Sequence, residues 1–131
     1  MKSFLLSAAL LCLGGEAAAC GYCVEDKIAA TYDHAVITRA LANGRHVVFF
    51  HVDGAPVARA VLEQAARGRG IENGSARISP DALTLSVAFD PRRMPLVELN
   101  AWLDRKLAKH KASLLPLRVM ERPSDLAAVK R

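Results

Sequence analysis

Aromatic side chains are scarce: one tryptophan, two tyrosines and four phenylalanines among 131 residues. The interior therefore has to come from Val, Leu, Ile and Ala. Cysteines number only three, too few for a disulfide scaffold. The longest apolar stretch, Phe4 to Leu13, is about half the ~20 residues of a membrane-spanning helix. Internal repeats and low-complexity tracts are missing. So are a Gly-rich phosphate loop, a zinc-protease motif, paired carboxylates and a Ser-His-Asp arrangement. The chain is accordingly not read as an enzyme. Its net charge of +5 is modest and spread along the sequence, which disfavours nucleic acid as a partner. One local basic run, Arg105, Lys106, Lys109 and Lys111, reads as favourable charge at the end of a helix.

The first nineteen residues have the parts of a secretion signal. Lys2 supplies positive charge, Phe4 to Leu13 the apolar segment, and Ala17-Ala18-Ala19 the small residues for cleavage. Cleavage after Ala19 removes Cys12 and leaves two cysteines, in the sequence Cys20-Gly21-Tyr22-Cys23. The expected location is the bacterial periplasm or the exterior. The neighbourhood has some likeness to a lipoprotein signal, but Ala17 stands where that signal has Leu. Lipid on Cys20 would tie the chain to a membrane and consume its thiol and amine.

Beyond the signal the spacing predicts a helix over 24–41, with Val24, Ile28, Tyr32, Ala35, Val36 and Ala40 on its apolar face. Asn43-Gly44 ends it. His46 to Val52 is a strand. Asp53-Gly54 turns the chain, and a helix follows with Val57, Val61, Leu62 and Ala65 inward, stopped at Gly68. Residues 71–78 form a weak polar strand. Leu83, Leu85, Val87 and Phe89 alternate with Thr84, Ser86 and Ala88, the pattern of a half-buried strand. Pro95 opens a helix with Leu96, Leu99, Leu103 and Leu107 on one stripe, and the last strand runs from about Leu114 to Glu121. The tail 123–131 reads as loose. The domain organisation is thus a signal at 1–19, the CGYC motif with its helix at 20–44, a domain at 45–122 and a flexible tail at 123–131.

The fold class is α+β. The order strand, helix, strand, strand, helix, strand is that of a ferredoxin-like βαββαβ sandwich, here preceded by an extra N-terminal helix. In that arrangement the first and third strands are central. The second, polar, and the fourth, which contains Pro116, suit the edges. The first strand is apolar on both faces: Val47 and Phe49 on one, Val48, Phe50 and Val52 on the other. A sheet with helices on one face only would leave half of that uncovered, so helix 24–41 is expected to pack on the open face.

Residues 45 to 121 resemble a heavy-metal-associated domain, the fold of small copper chaperones and of modules of metal-pumping ATPases. The likeness lies in His46-Val47-Val48-Phe49-Phe50-His51-Val52-Asp53-Gly54 and Leu83-Thr84-Leu85-Ser86-Val87-Ala88-Phe89-Asp90. That family holds its metal on a Cys-x-x-Cys in the loop after the first strand. Here that loop is Gly54-Ala55-Pro56-Val57-Ala58, without cysteine, and the family's metal site does not carry over.

The chemistry therefore rests on Cys20 and Cys23. Two thiolates suit Cu(I), and the α-amine of a freshly cut Cys20 would add a nitrogen ligand. His34 lies too far along the predicted helix to join them. His46 and His51 occupy opposite faces of the strand. His51, near the strand's end, is the further candidate ligand, although a lone strand histidine is more often an ordinary satisfied residue. The metal ion and a periplasmic protein are the expected partners. The alternatives are a thiol-disulfide redox protein and a non-catalytic interaction module. CGYC is similar over its four residues to the periplasmic disulfide isomerase motif, but no strand precedes it, and Glu25-Asp26 oppose a thiolate. A structural disulfide is poorly motivated, since it would close a very small loop.

Overall fold

The computed structural model describes the backbone of residues 16–129 and the side chains of residues 24–126. The expected signal at 1–19 lies, for residues 1–15, outside the described residues. In chain order the elements are α1 (Glu16–Thr31), α2 (His34–Ala42), β1 (His46–Gly54), α3 (Arg59–Ala65), β2 (Arg77–Ile78), β3 (Thr84–Phe89), α4 (Leu96–Leu107), a 3-10 turn (Ala108–His110), β4 (Ala112–Met120) and α5 (Pro123–Val129). The chain is a mixed α+β protein around a four-stranded antiparallel sheet of order β2-β3-β1-β4.

Alternation along β1 divides the interior in two. Val48, Phe50 and Val52 pack with Leu85, Val87 and Phe89 of β3. Leu62 of α3 and Leu99, Leu103 and Leu107 of α4 cover them. The four-residue spacing of those leucines puts them on one stripe of α4. Val47, Phe49 and Ala88 face the other way and are covered by Ile28 of α1 with Ile37 and Ala40 of α2. A strand apolar on both faces is stable only between two layers, and the helices preceding it supply the second.

Four expectations change in detail. The helix expected over 24–41 is two helices, broken at Tyr32-Asp33. Asp33 adopts an extended conformation, and its Oδ1 accepts from the Val36 N–H at 3.2 Å, capping α2. The strand expected over 71–78 shrinks to Arg77–Ile78 plus a single bridge from Ile71 to Phe89. Between them the chain turns at Gly74, whose φ is +75, and the Ser75 hydroxyl donates to the Glu72 carbonyl at 2.7 Å. β3 is buried on both faces rather than one. Its small residues Thr84, Ser86 and Ala88 let α1 approach closely, and the Ser86 hydroxyl donates to the Thr31 carbonyl at 3.3 Å. The segment after β4 is not loose throughout: it forms α5, tied by Arg122 to Asp125 and by Asp125 to His46 at 3.6 Å.

Both central strands lie between partners, and β4 occupies one edge. Pro116 pairs with Phe50 there, while Phe49 pairs with Arg118. Leu117 is thus an extra residue, a bulge beside a proline that has no N–H for the ladder.

Candidate functional site

The thiol pair has to be located through the helix that carries it. α1 is held at successive points across the sheet. Glu25 accepts two hydrogen bonds from the Arg118 guanidinium on β4. Ile28 packs in the cluster of Val47 and Phe49 on β1. The Thr31 carbonyl takes the Ser86 hydroxyl on β3. Just past the helix, Asp33 Oδ2 accepts from Arg77 Nε on β2 at 2.9 Å. The helix therefore crosses the strands in the order β4, β1, β3, β2. Continued backwards from Glu25, its axis carries positions 20–23 past the β4 edge.

Cys20 and Cys23 belong to the helical backbone of α1. Positions three apart are neighbours on a helix surface. At about 100° per residue, positions 20, 23 and 27 share one flank of α1, and 25, 29 and 32 share the other. The second flank borders a shallow pocket of about 350 Å³ between Tyr32, Met120 and the Glu25–Arg118 pair. The first flank faces the end of the sheet where the β2–β3 turn lies. Lys27 sits there close enough to Asp81 for its charge to lower that carboxyl, after the larger effects of the Ser79 hydroxyl and the Leu83 N–H.

This arrangement alters the electrostatics expected from sequence. Glu25 reads as a charge opposing a thiolate. In the fold its carboxylate is held below the usual range by the hydrogen bond and charge of Arg118, on the flank away from positions 20 and 23. On the side of positions 20 and 23, Lys27 stands four residues beyond Cys23 and Asp26 three residues beyond it, so a cation and a carboxylate both neighbour that position. The spacing of Cys23 and Lys27 was a visible signal; the partner of Glu25 was not, because Arg118 lies 93 residues away in sequence.

The histidines are placed separately. His51 Nδ1 lies 3.1 Å from the Leu83 carbonyl. A carbonyl only accepts, so Nδ1 carries a proton. The bond draws the ring towards β3, while the axis of α1 runs from over β3 out over β4 on the way back to positions 20 and 23. His46, on the other face, sits between Glu121 and Asp125 with its ring edge-on to Phe89 at 5.8 Å. His34 begins α2 and contacts the Thr38 hydroxyl at 3.4 Å. Among the described residues no group of three or more His, Cys, Asp or Glu could hold a metal ion, and no helix is long and apolar enough to cross a membrane. No family model, no curated protein and no solved structure matches this chain, so its function has to be read from its own geometry.

Proposed function

We propose that this is an exported, ferredoxin-like protein of the periplasm that takes up a soft metal ion, Cu(I), on the thiolates of Cys20 and Cys23 and passes it to a protein partner. The fold part of the reading is supported by the strand order β2-β3-β1-β4, with α3 and α4 together on one face. The observation that carries the metal part is the docking of α1 across all four strands. It makes the helix a rigid mount on which two cysteine positions stand one turn apart, at the open edge of the sheet. Two thiolates at such spacing suit an ion that accepts two-coordinate sulfur. An edge position suits a cargo that must be handed on by ligand exchange. Neutralisation of Glu25 by Arg118 removes a charge that would otherwise oppose the thiolates.

The experiment is a competition titration of the reduced mature protein with Cu(I) against a chelator of known affinity. About one ion per chain is expected, lost in Cys20→Ser and in Cys23→Ser. Equal binding by the double variant would end the proposal. His51→Ala is expected to leave the affinity unchanged.

A second reading, thiol-disulfide exchange, is favoured by one observation: Lys27 stands on the flank of the cysteine positions. The pH dependence of alkylation at each cysteine separates the two. A thiol attacked readily well below neutral pH, with catalysis of insulin reduction, would make the redox reading the stronger one.

A further inference from the structure

On the face of the molecule away from α1, helices α3 and α4 leave a cleft of about 580 Å³. On the α3 side Ala60, Val61 and Ala65 give it an apolar floor, with the uncharged amide of Gln64 beside them. Its other wall is basic: Arg105, Lys106, Lys109 and His110 all line it, and no carboxylate does. Among the described residues none of these four takes part in an ion pair. Helix-end charge alone explains the presence of these residues but not their gathering on one side of an apolar trough.

Lys106 is already occupied. Its Nζ donates to the Arg67 carbonyl at 3.0 Å and lies 3.7 Å from the Trp102 ring centroid, and burial lowers its pKa. Trp102 in turn packs against Gly68, where a Cβ would collide with the indole. These contacts fix the wall. Among the described residues Arg105, on α4, and Lys109, in the 3-10 turn that follows, have no ion-pair partner; with the tighter rise of the 3-10 turn they stand about 7 Å apart along the axis. Acidic side chains four apart on another helix have a similar spacing.

We propose that this cleft is the docking groove for an acidic amphipathic helix of a partner protein. The apolar stripe of that helix rests on Ala60, Val61 and Ala65, and its carboxylates at i and i+4 meet Arg105 and Lys109. The seven residues of α3 limit the engaged length to about two turns. A lipid surface fits less well, because the cations line one wall of a concavity rather than rim a convex apolar face.

The probe is a synthetic four-turn peptide with a Leu/Ala stripe and Glu at i,i+4, alongside a twin carrying Lys at the same positions. Binding to the full mature protein is followed by calorimetry and by the fluorescence of Trp102, the only tryptophan. The wild type is expected to bind the Glu peptide and reject the Lys twin. Arg105→Glu/Lys109→Glu should weaken the Glu peptide at least about tenfold and gain affinity for the Lys twin. Ala60→Phe, which fills the floor without changing charge or adding a second tryptophan, should block the Glu peptide. Circular dichroism establishes that each variant is folded. Absence of saturable binding by the wild type overturns the proposal, as does equal binding by the charge-reversed variant. Tight binding to phosphatidylglycerol vesicles without peptide binding would assign the cleft to a membrane instead.

Discussion

Ile28→Ala is the most informative single change, because its sign distinguishes a docked α1 from a free arm. Ile28 is 4% exposed and lies among Val47, Phe49, Ala88, Ile37 and Ala40. Truncating an isoleucine in such a setting costs about 3 kcal/mol, the transfer of the lost methylenes plus the cavity left behind. For a domain of this size that corresponds to a fall in melting temperature of about 12 °C. On a solvated arm the same substitution would raise helix propensity and cost nothing, or stabilise by a few tenths of a kcal/mol. Phe49→Ala cannot make this distinction, since Phe49 is central in the sheet and its loss is damaging whether or not a helix covers it. The measurement is urea and thermal unfolding of the reduced mature protein by circular dichroism. Val97→Ala, on a residue 81% exposed, serves as a control expected within about 0.5 kcal/mol of wild type. Stability of Ile28→Ala equal to that of the control would refute the two-layer core.

Three further outcomes are expected. Asp33 is held below its ordinary carboxyl range, first by the Val36 N–H and then by Arg77; its stabilisation is present above the unfolded pKa and fades as pH falls through the lower folded value. Asp33→Asn keeps a cap but no charge, so its urea midpoint should vary less with pH over that acidic window, and parallel profiles would contradict the assignment. Gly54→Ala should destabilise more than Gly74→Ala in the same unfolding assay, because both have positive φ but only at Gly54 would a Cβ come within 2.5 Å of the Lys111 carbonyl oxygen. Lys27→Glu should slow iodoacetamide alkylation of Cys23 at neutral pH, read by mass spectrometry, and an unchanged rate would show that the shared flank of α1 is electrostatically irrelevant.

Local patterns made the sheet's centre and α4 legible. β1 and the leucine stripe of α4 follow from residue type and period alone, and the two-faced β1 implied that something N-terminal must cover it. The break at Asp33 was hidden because apolar spacing runs through Tyr32 and Val36 without interruption, and Val36 occupies the place where a capping box has Glu or Gln. The burial of β3 on both faces is harder to read, since Thr84 and Ser86 look solvent-facing until a helix arrives that needs small residues beneath it. α5 meets His46, about 80 positions earlier in the chain, a kind of contact that no local period reports. For the candidate site, the cysteine spacing was plain in the sequence. The direction of the helix that bears it came only from contacts such as Glu25 with Arg118, between residues far apart along the chain.

The bulge at Leu117 has a bearing on how the protein behaves in a crowded solution. A sheet with a long regular rim invites a neighbour's strand to dock on it, and each docked strand offers a fresh rim to the next. Here one rim is only Arg77–Ile78, too brief to seed such growth. The other, Ala112–Met120, is interrupted midway by Pro116 and the extra residue after it. Neither side offers a continuous row of backbone donors and acceptors, so both rims are poor templates for a neighbour's strand.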